Sequence, residues 1–164
     1  MVREMHEAET KRGELLEEIR RLAASDEPDG EVLQKVVEFL HGSHPRWHWT
    51  GIYLLKGAEL VLGPCSAPAS HERIRVGEGV CGTAVAEGEN QLVDDVREVE
   101  NYLACSVSTR SEIVVLIRHE GRIVGQFDVD SDEICAFGEE DEALLEEAAR
   151  IIAPRVAALA GRPG

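Results

Sequence analysis

The stretch Trp47-His48-Trp49-Thr50-Gly51-Ile52-Tyr53-Leu54-Leu55, continued by Lys56-Gly57 and Ala58-Glu59-Leu60-Val61-Leu62-Gly63, decides the fold. Two runs rich in β-formers flank a glycine-containing turn, the pattern of an antiparallel hairpin. Upstream, Leu15, Leu16, Ile19, Leu22 and Ala23 recur at three- and four-residue steps among Glu and Arg, which predicts an amphipathic helix over residues 5–24. Ser25-Asp26-Glu27-Pro28-Asp29-Gly30 breaks it. A second helix is expected over about residues 31–40, with Val32, Leu33, Val36, Val37, Phe39 and Leu40 on a broad apolar face and a stop at Gly42 and Pro45. Downstream, residues 64–70 read as a loop, 73–76 as a short strand, 79–87 as a short helix closed by Gly88, and 91–93 as another short strand. Residues 111–118 and 122–130 form a second hairpin across His119-Glu120-Gly121. A last helix covers 139–159, its acidic start suited to the positive end of the helix dipole, and Pro154 predicts a kink or an end nearby. The order predicts an α+β domain: a central antiparallel sheet flanked by helices, two N-terminal and one C-terminal.

At 164 residues the chain has the size of one domain that buries a core without disulfide or metal staples. Lys plus Arg number 17 against 32 Asp plus Glu, a formal charge of -15. That field opposes nucleic acid and anionic membrane as partners, and the Lys and Arg are scattered rather than gathered in a patch. No apolar run approaches the ~20 residues of a membrane span. The first ten residues alternate charges around no apolar segment, so they do not read as a secretory signal, and a cytoplasmic, reducing location is expected. There Cys65, Cys81, Cys105 and Cys135 are either buried small residues or redox groups, and no CxxC pair announces zinc. His41, His44 and His48 straddle a helix end and Pro45 and do not read as a metal site. No cofactor is expected.

The run Gly77-Glu78-Gly79-Val80-Cys81-Gly82-Thr83-Ala84-Val85-Ala86-Glu87-Gly88, then Leu92-Val93-Asp94-Asp95-Val96 and Gly125-Gln126-Phe127-Asp128-Val129-Asp130-Ser131 before Phe137 and Glu140-Asp141, resembles a GAF domain. More narrowly, Trp49-Thr50-Gly51-Ile52-Tyr53-Leu54-Leu55, Gly79-Val80-Cys81-Gly82, Leu103-Ala104-Cys105-Ser106 and Ser111-Glu112-Ile113-Val114-Val115 resemble the free methionine-(R)-sulfoxide reductases, built on a single GAF domain. The resemblance implies a GAF domain over 31–160 behind an N-terminal helix and turn, 1–30. It implies reduction of free L-methionine (R)-sulfoxide through a cysteine sulfenic acid and an intramolecular disulfide, with a thioredoxin-like dithiol as reductant and a homodimer as the assembly. The other reading of a GAF domain is a non-catalytic module that binds a small ligand or senses oxidation. The family commonly carries a resolving cysteine ten positions before the Gly-Val-Cys-Gly cysteine; here that position is His71. Cys81 and Cys65, the latter in the same predicted loop, are the alternative resolving thiols.

Sulfoxide reduction requires a thiolate to attack sulfur while the oxygen gains a proton, and a second thiol then closes a disulfide on the sulfenic acid. The resemblance makes Cys105, on the polar stretch 104–109, the attacking thiol. Cys81 falls at the start of the short helix, where the helix N-terminus favours a thiolate. Cys135 follows the last strand outside any motif and reads as structural or incidental. Asp128 and Asp130, two apart on one strand, share a face opposite Phe127 and Val129, and hairpin pairing brings Glu112 near them. Two such acids ordinarily mark a solvated face. The resemblance instead sets Glu112, Asp128 and Asp130 in the pocket, some holding the substrate ammonium and one donating to the sulfoxide oxygen, its pKa raised by burial and like charges. Trp49 and Tyr53, four apart on a strand, also share a face; they are core rings or, as the resemblance implies, an aromatic box around the methyl-sulfoxide end.

Overall fold

The deciding hairpin is β1 (Trp49–Lys56) and β2 (Glu59–Cys65), turning at Gly57. The computed structural model describes residues 2–103 and 107–162. Before the hairpin come α1 (Val2–Ala23) and α2 (Asp29–Gly42). After it follow β3 (Arg73–Arg75), α3 (Gly79–Glu87), β4 (Gln91–Val93), a 3-10 turn (Val96–Glu98), β5 (Ser111–His119), β6 (Arg122–Ser131) and α4 (Glu139–Ala160). The six strands make one antiparallel sheet in the order β3-β2-β1-β6-β5-β4, so the two hairpins join through β1 and β6 at its centre. Among the described residues no helix is long and apolar enough to cross a membrane.

Alternation along the strands divides the side chains between two cores. Ile52 and Leu54 of β1, Ile113, Val115 and Ile117 of β5, and Phe127 and Val129 of β6 pack against α1, α2 and α4. On the opposite face Tyr53, Leu60, Ile74, Val114 and Leu116 pack with Val80, Cys81 and Ala84 of α3. Coverage on both faces explains why β5 reads as the unbroken apolar run Ile113-Val114-Val115-Leu116-Ile117. Each fully buried Ile or Leu of these cores contributes about 1.5–3 kcal/mol. The first helix is part of the larger core, through Leu16 and Ile19, rather than an appendage to it.

One expectation is corrected. The loop expected from Pro64 starts later: β2 continues to Cys65, which pairs with Gly51 while Leu62 pairs with Tyr53. Gly63 and Pro64 therefore stand opposite the single residue Ile52, a bulge, which is where a sheet tolerates proline. The last helix, expected over 139–159, runs to Ala160 with Pro154 inside it. Proline removes one helical hydrogen bond, and burial of Ile152, Ala153 and Val156 on the sheet outweighs that loss.

Arg155 ties α4 to the α1–α2 connection. Its guanidinium donates to the carbonyls of Ala23, Ser25 and Glu27 and to Asp29 Oδ1 at 3.1 Å, and it is largely shielded from water. Arg162, on the far side of Asp29, is exposed. Arg155→Ala should cost about 2–4 kcal/mol in urea unfolding, because it strands several shielded acceptors at once. Arg162→Ala should cost less than about 1 kcal/mol.

Candidate active site

Strand register gathers the acids. β5 and β6 pair Glu112 with Asp130 and Val114 with Asp128, while β1 and β6 pair Trp49 with Asp130 and Gly51 with Asp128. Directly paired residues point to one face, so Glu112, Asp128 and Asp130 share the face of Trp49 and Tyr53, as their spacing predicts. That face is not solvated. Glu112 is 1% exposed, Asp128 0% and Asp130 3%.

Two glycines explain how the face is closed. A Cβ on Gly82 would stand 2.4 Å from the Arg75 carbonyl oxygen, so only glycine lets α3 sit this close to β3 and hold Cys81 against the sheet. A Cβ on Gly51 would stand 2.4 Å from the Trp49 ring, which folds across that position beside Asp128. The indole Nε1 donates to the Ala67 carbonyl at 2.8 Å, and Tyr53 Oη donates to the His71 carbonyl at 2.8 Å. The ring centroids of Trp49 and Tyr53 are 6.4 Å apart. These two aromatics thereby fasten the segment that contains His71.

Cys81 is buried among the acids. Its thiol donates to Glu112 Oε2 at 3.8 Å, and Sγ and one oxygen each of Glu112 and Asp128 lie within 4.8 Å of one another. Gln126, two residues before Asp128 and so on the same face, donates to the Cys81 carbonyl at 3.4 Å. Sequence reading missed Gln126 as a support of the site, although its period-two relation to the acids carries that signal. No amide, hydroxyl or ammonium group of the described residues donates to Glu112 Oε1 or to either oxygen of Asp128. Burial, and then the charges of Asp128 and Asp130, push the Glu112 carboxyl well above its ordinary 4.5. Burial also pushes Asp128 up, while hydrogen bonds from Glu112 and Cys81 hold it back. Burial and like charge thus favour the neutral form of Glu112 beside Asp128.

A pocket of about 240 Å³ opens between Trp49, His48, Asp130, Asp132, Ser108 and Thr109, and Asp130 is the acid of the three that lines it. Cys105 lies outside the described residues, in the segment 104–106. On one side of that segment Leu103 packs over Gly79, and on the other Ser108 lines the pocket. Cys65 is half-buried at the end of β2, and Cys135 is exposed, beyond β6. The three histidines are separately engaged: His44 stacks on Trp47 at 3.8 Å, His41 Nδ1 lies 3.4 Å from Thr50 Oγ1, and His48 Nδ1 accepts from the Asp132 N–H at 2.9 Å.

The model of the GAF domain family matches residues 27–156. The free methionine-R-sulfoxide reductase of Neisseria meningitidis, solved in complex with its substrate, is 35% identical and superposes with a TM-score of 0.83 over 91% of each chain. The chain belongs to the GAF-domain free methionine-R-sulfoxide reductase family. Within that family it is 41% identical over 100 residues to the Escherichia coli (strain K12) enzyme, a match covering 61% of each chain. The type II enzyme of Thermoplasma acidophilum is 34% identical with a TM-score of 0.76, over 84% of this chain and 94% of that one. The chain spans 61 to 71% of the length of the curated relatives it matches.

The raised Glu112 pKa of this reductase-family site has a thermodynamic signature. In the unfolded chain Glu112 ionises around its ordinary 4.5, whereas in the folded chain its pKa is raised, so folding takes up a proton between the two values and stability falls as pH rises from 4.5 through the raised value. Glu112→Gln removes this loss. Denaturation curves taken from about pH 4 to pH 9 should show variant and wild type together at the acid end, with the variant increasingly the more stable toward alkaline pH. Parallel curves would place an ionised carboxylate at 112.

Proposed function

We propose that the protein is an oxidoreductase that reduces free L-methionine (R)-sulfoxide to methionine. The observation that carries this reading is the buried carboxyl cluster of Glu112, Asp128 and Asp130 beneath Trp49 and beside Cys81, with the Glu112 pKa pushed up by burial. The substrate-bound family member from Neisseria meningitidis supports it.

An amino-acid sulfoxide offers an ammonium to acids and a polar S–O group to a proton donor. Asp130, at the pocket wall, and Asp128 below it hold the ammonium, whose positive charge compensates their burial. Trp49 and Tyr53 enclose the methyl-sulfoxide end. The Cys105 thiolate attacks sulfur as Glu112 gives its proton to the sulfoxide oxygen. Oxygen passes to the Cys105 sulfur, the sulfoxide is reduced to the thioether by two electrons, and Cys105 is oxidised to the sulfenic acid. A second thiol then attacks that sulfur, releasing water and forming a disulfide, which a thioredoxin-like dithiol reduces. Cys81 is the resolving thiol of this scheme, because it is the described cysteine that touches the acid cluster. Cys65 lies at the end of β2, opposite Gly51, and is the other candidate. A cytoplasmic homodimer completes the proposal.

The test is methionine release from each sulfoxide epimer with dithiothreitol as reductant. The R epimer alone should turn over, and Cys105→Ser should abolish it. No turnover of either epimer would leave a ligand-binding module. With thioredoxin as reductant, Cys81→Ser should release about one methionine per site and stall, while Cys65→Ser continues; the reverse pattern makes Cys65 the resolving thiol. Glu112→Gln should lower kcat by about a hundred- to ten-thousand-fold with only a small change in KM. Equal losses in both would give Glu112 a binding role.

A further inference from the structure

We propose that Cys81, Glu112 and Asp128 form a binding site for a thiophilic divalent cation, zinc(II) foremost, whose occupancy excludes the sulfoxide substrate. The three residues come from α3, β5 and β6, which explains why no spacing in the sequence announces them. Their donor atoms already lie within 4.8 Å of one another, with Cys81 Sγ 3.8 Å from Glu112 Oε2. Zinc binds sulfur at about 2.3 Å and carboxylate oxygen at about 2.0–2.2 Å, so donors around one tetrahedral ion stand roughly 3.5 Å apart. Closing by a few tenths of an ångström at the Cys81–Glu112 pair, and by at most about 1.3 Å at the others, seats the ion.

Independent of that spacing, Asp128 is fully buried with neither oxygen reached by an amide, hydroxyl or ammonium donor, and Glu112 Oε1 is in the same position. Buried carboxyl oxygens in this state are satisfied by protons or by a cation. A void of about 10 Å³, bordered by Cys81, Glu112, Gly79 and Leu103, is on the scale of one small ion or water. The donor set selects the ion: one thiolate with two carboxylates suits zinc or cobalt(II), whereas calcium and magnesium require six or more oxygens and avoid sulfur. Binding displaces the protons of the thiol and carboxyls, so affinity rises with pH. A zinc-bound Cys81 cannot close a disulfide, and a zinc-bound Asp128 cannot hold an ammonium. The exclusion of substrate rests on the function proposed above; the cation site itself does not.

The experiment is a cobalt(II) titration of the full chain, kept reduced with a phosphine rather than a thiol. The expected result is a near-ultraviolet sulfur-to-cobalt charge-transfer band that saturates at about one equivalent per chain and is displaced by zinc(II). The band should be absent in Cys81→Ser, weakened at least tenfold in affinity in Asp128→Asn, and retained in Cys105→Ser and Cys65→Ser. Zinc-edge X-ray absorption of the wild-type complex, which depends on no variant, should show one sulfur neighbour among oxygens. Uptake below one equivalent, absence of a sulfur neighbour, or a band that persists in Cys81→Ser and vanishes in Cys105→Ser would overturn the site. L-methionine sulfoxide should weaken cobalt binding at least tenfold. A cobalt site indifferent to it would overturn the exclusion, and with it the placement of the ammonium at Asp128, while leaving the cation site standing.

Discussion

Burial of the Glu112 and Asp128 carboxyls against the Cys81 thiol is the constraint on which the rest of this structure depends. An ionised carboxylate sealed from water without a partner costs several kcal/mol. Burial, with Asp128 and Asp130 beside it, raises the Glu112 pKa and so favours its neutral form, which carries no such cost. This is a weak way to stabilise a domain and a strong way to store a proton. In the proposed reaction, the same desolvation that reduces stability at neutral pH favours a neutral acid for the sulfoxide oxygen, the usual relation between a functional site and a stable scaffold.

The scaffold is specified to match. Period-two alternation sends Phe127 and Val129 to the three long helices and Gln126, Asp128 and Asp130 to the opposite face. A one-residue slip between β5 and β6 would drive the acids into the apolar core. Two extended apolar faces, one under α1, α2 and α4 and one under α3, hold the register. Seen this way, the glycines at 51 and 82 serve the acids: one lets the Trp49 indole roof the cluster, and the other lets α3 bring Cys81 down onto it.

The order of elements and the shared face of the acids were legible in the sequence because both follow from local periodicity. The amphipathic spacing of α2, the two hairpins and the alternation of β6 each carry their own signal. The burial of the acids was not legible, because it depends on what lies above them: α3 seated through Gly82 and an indole folded over Gly51, neither of which is a local pattern. Pro64 and Pro154 are proline positions whose outcome is likewise not local. Proline reports on the backbone alone, and at these positions a bulge opposite Ile52 and a buried helix face decide the outcome. The approach of Cys81 to Glu112 joins residues far apart in the chain, so only the register of the folded sheet reveals it. The implied attacking residue, Cys105, lies outside the described residues; its role rests on the family motif around it.

The most direct measurement is the protonation state of Glu112 itself, read from the side-chain carboxyl carbon by nuclear magnetic resonance in reduced protein at neutral pH. One glutamate signal should have the chemical shift of a neutral carboxyl, disappear in Glu112→Gln, and titrate only well above the ordinary carboxylate range. If every glutamate signal at neutral pH is that of an ionised carboxylate, the buried proton does not exist and Glu112 cannot be the acid of this site.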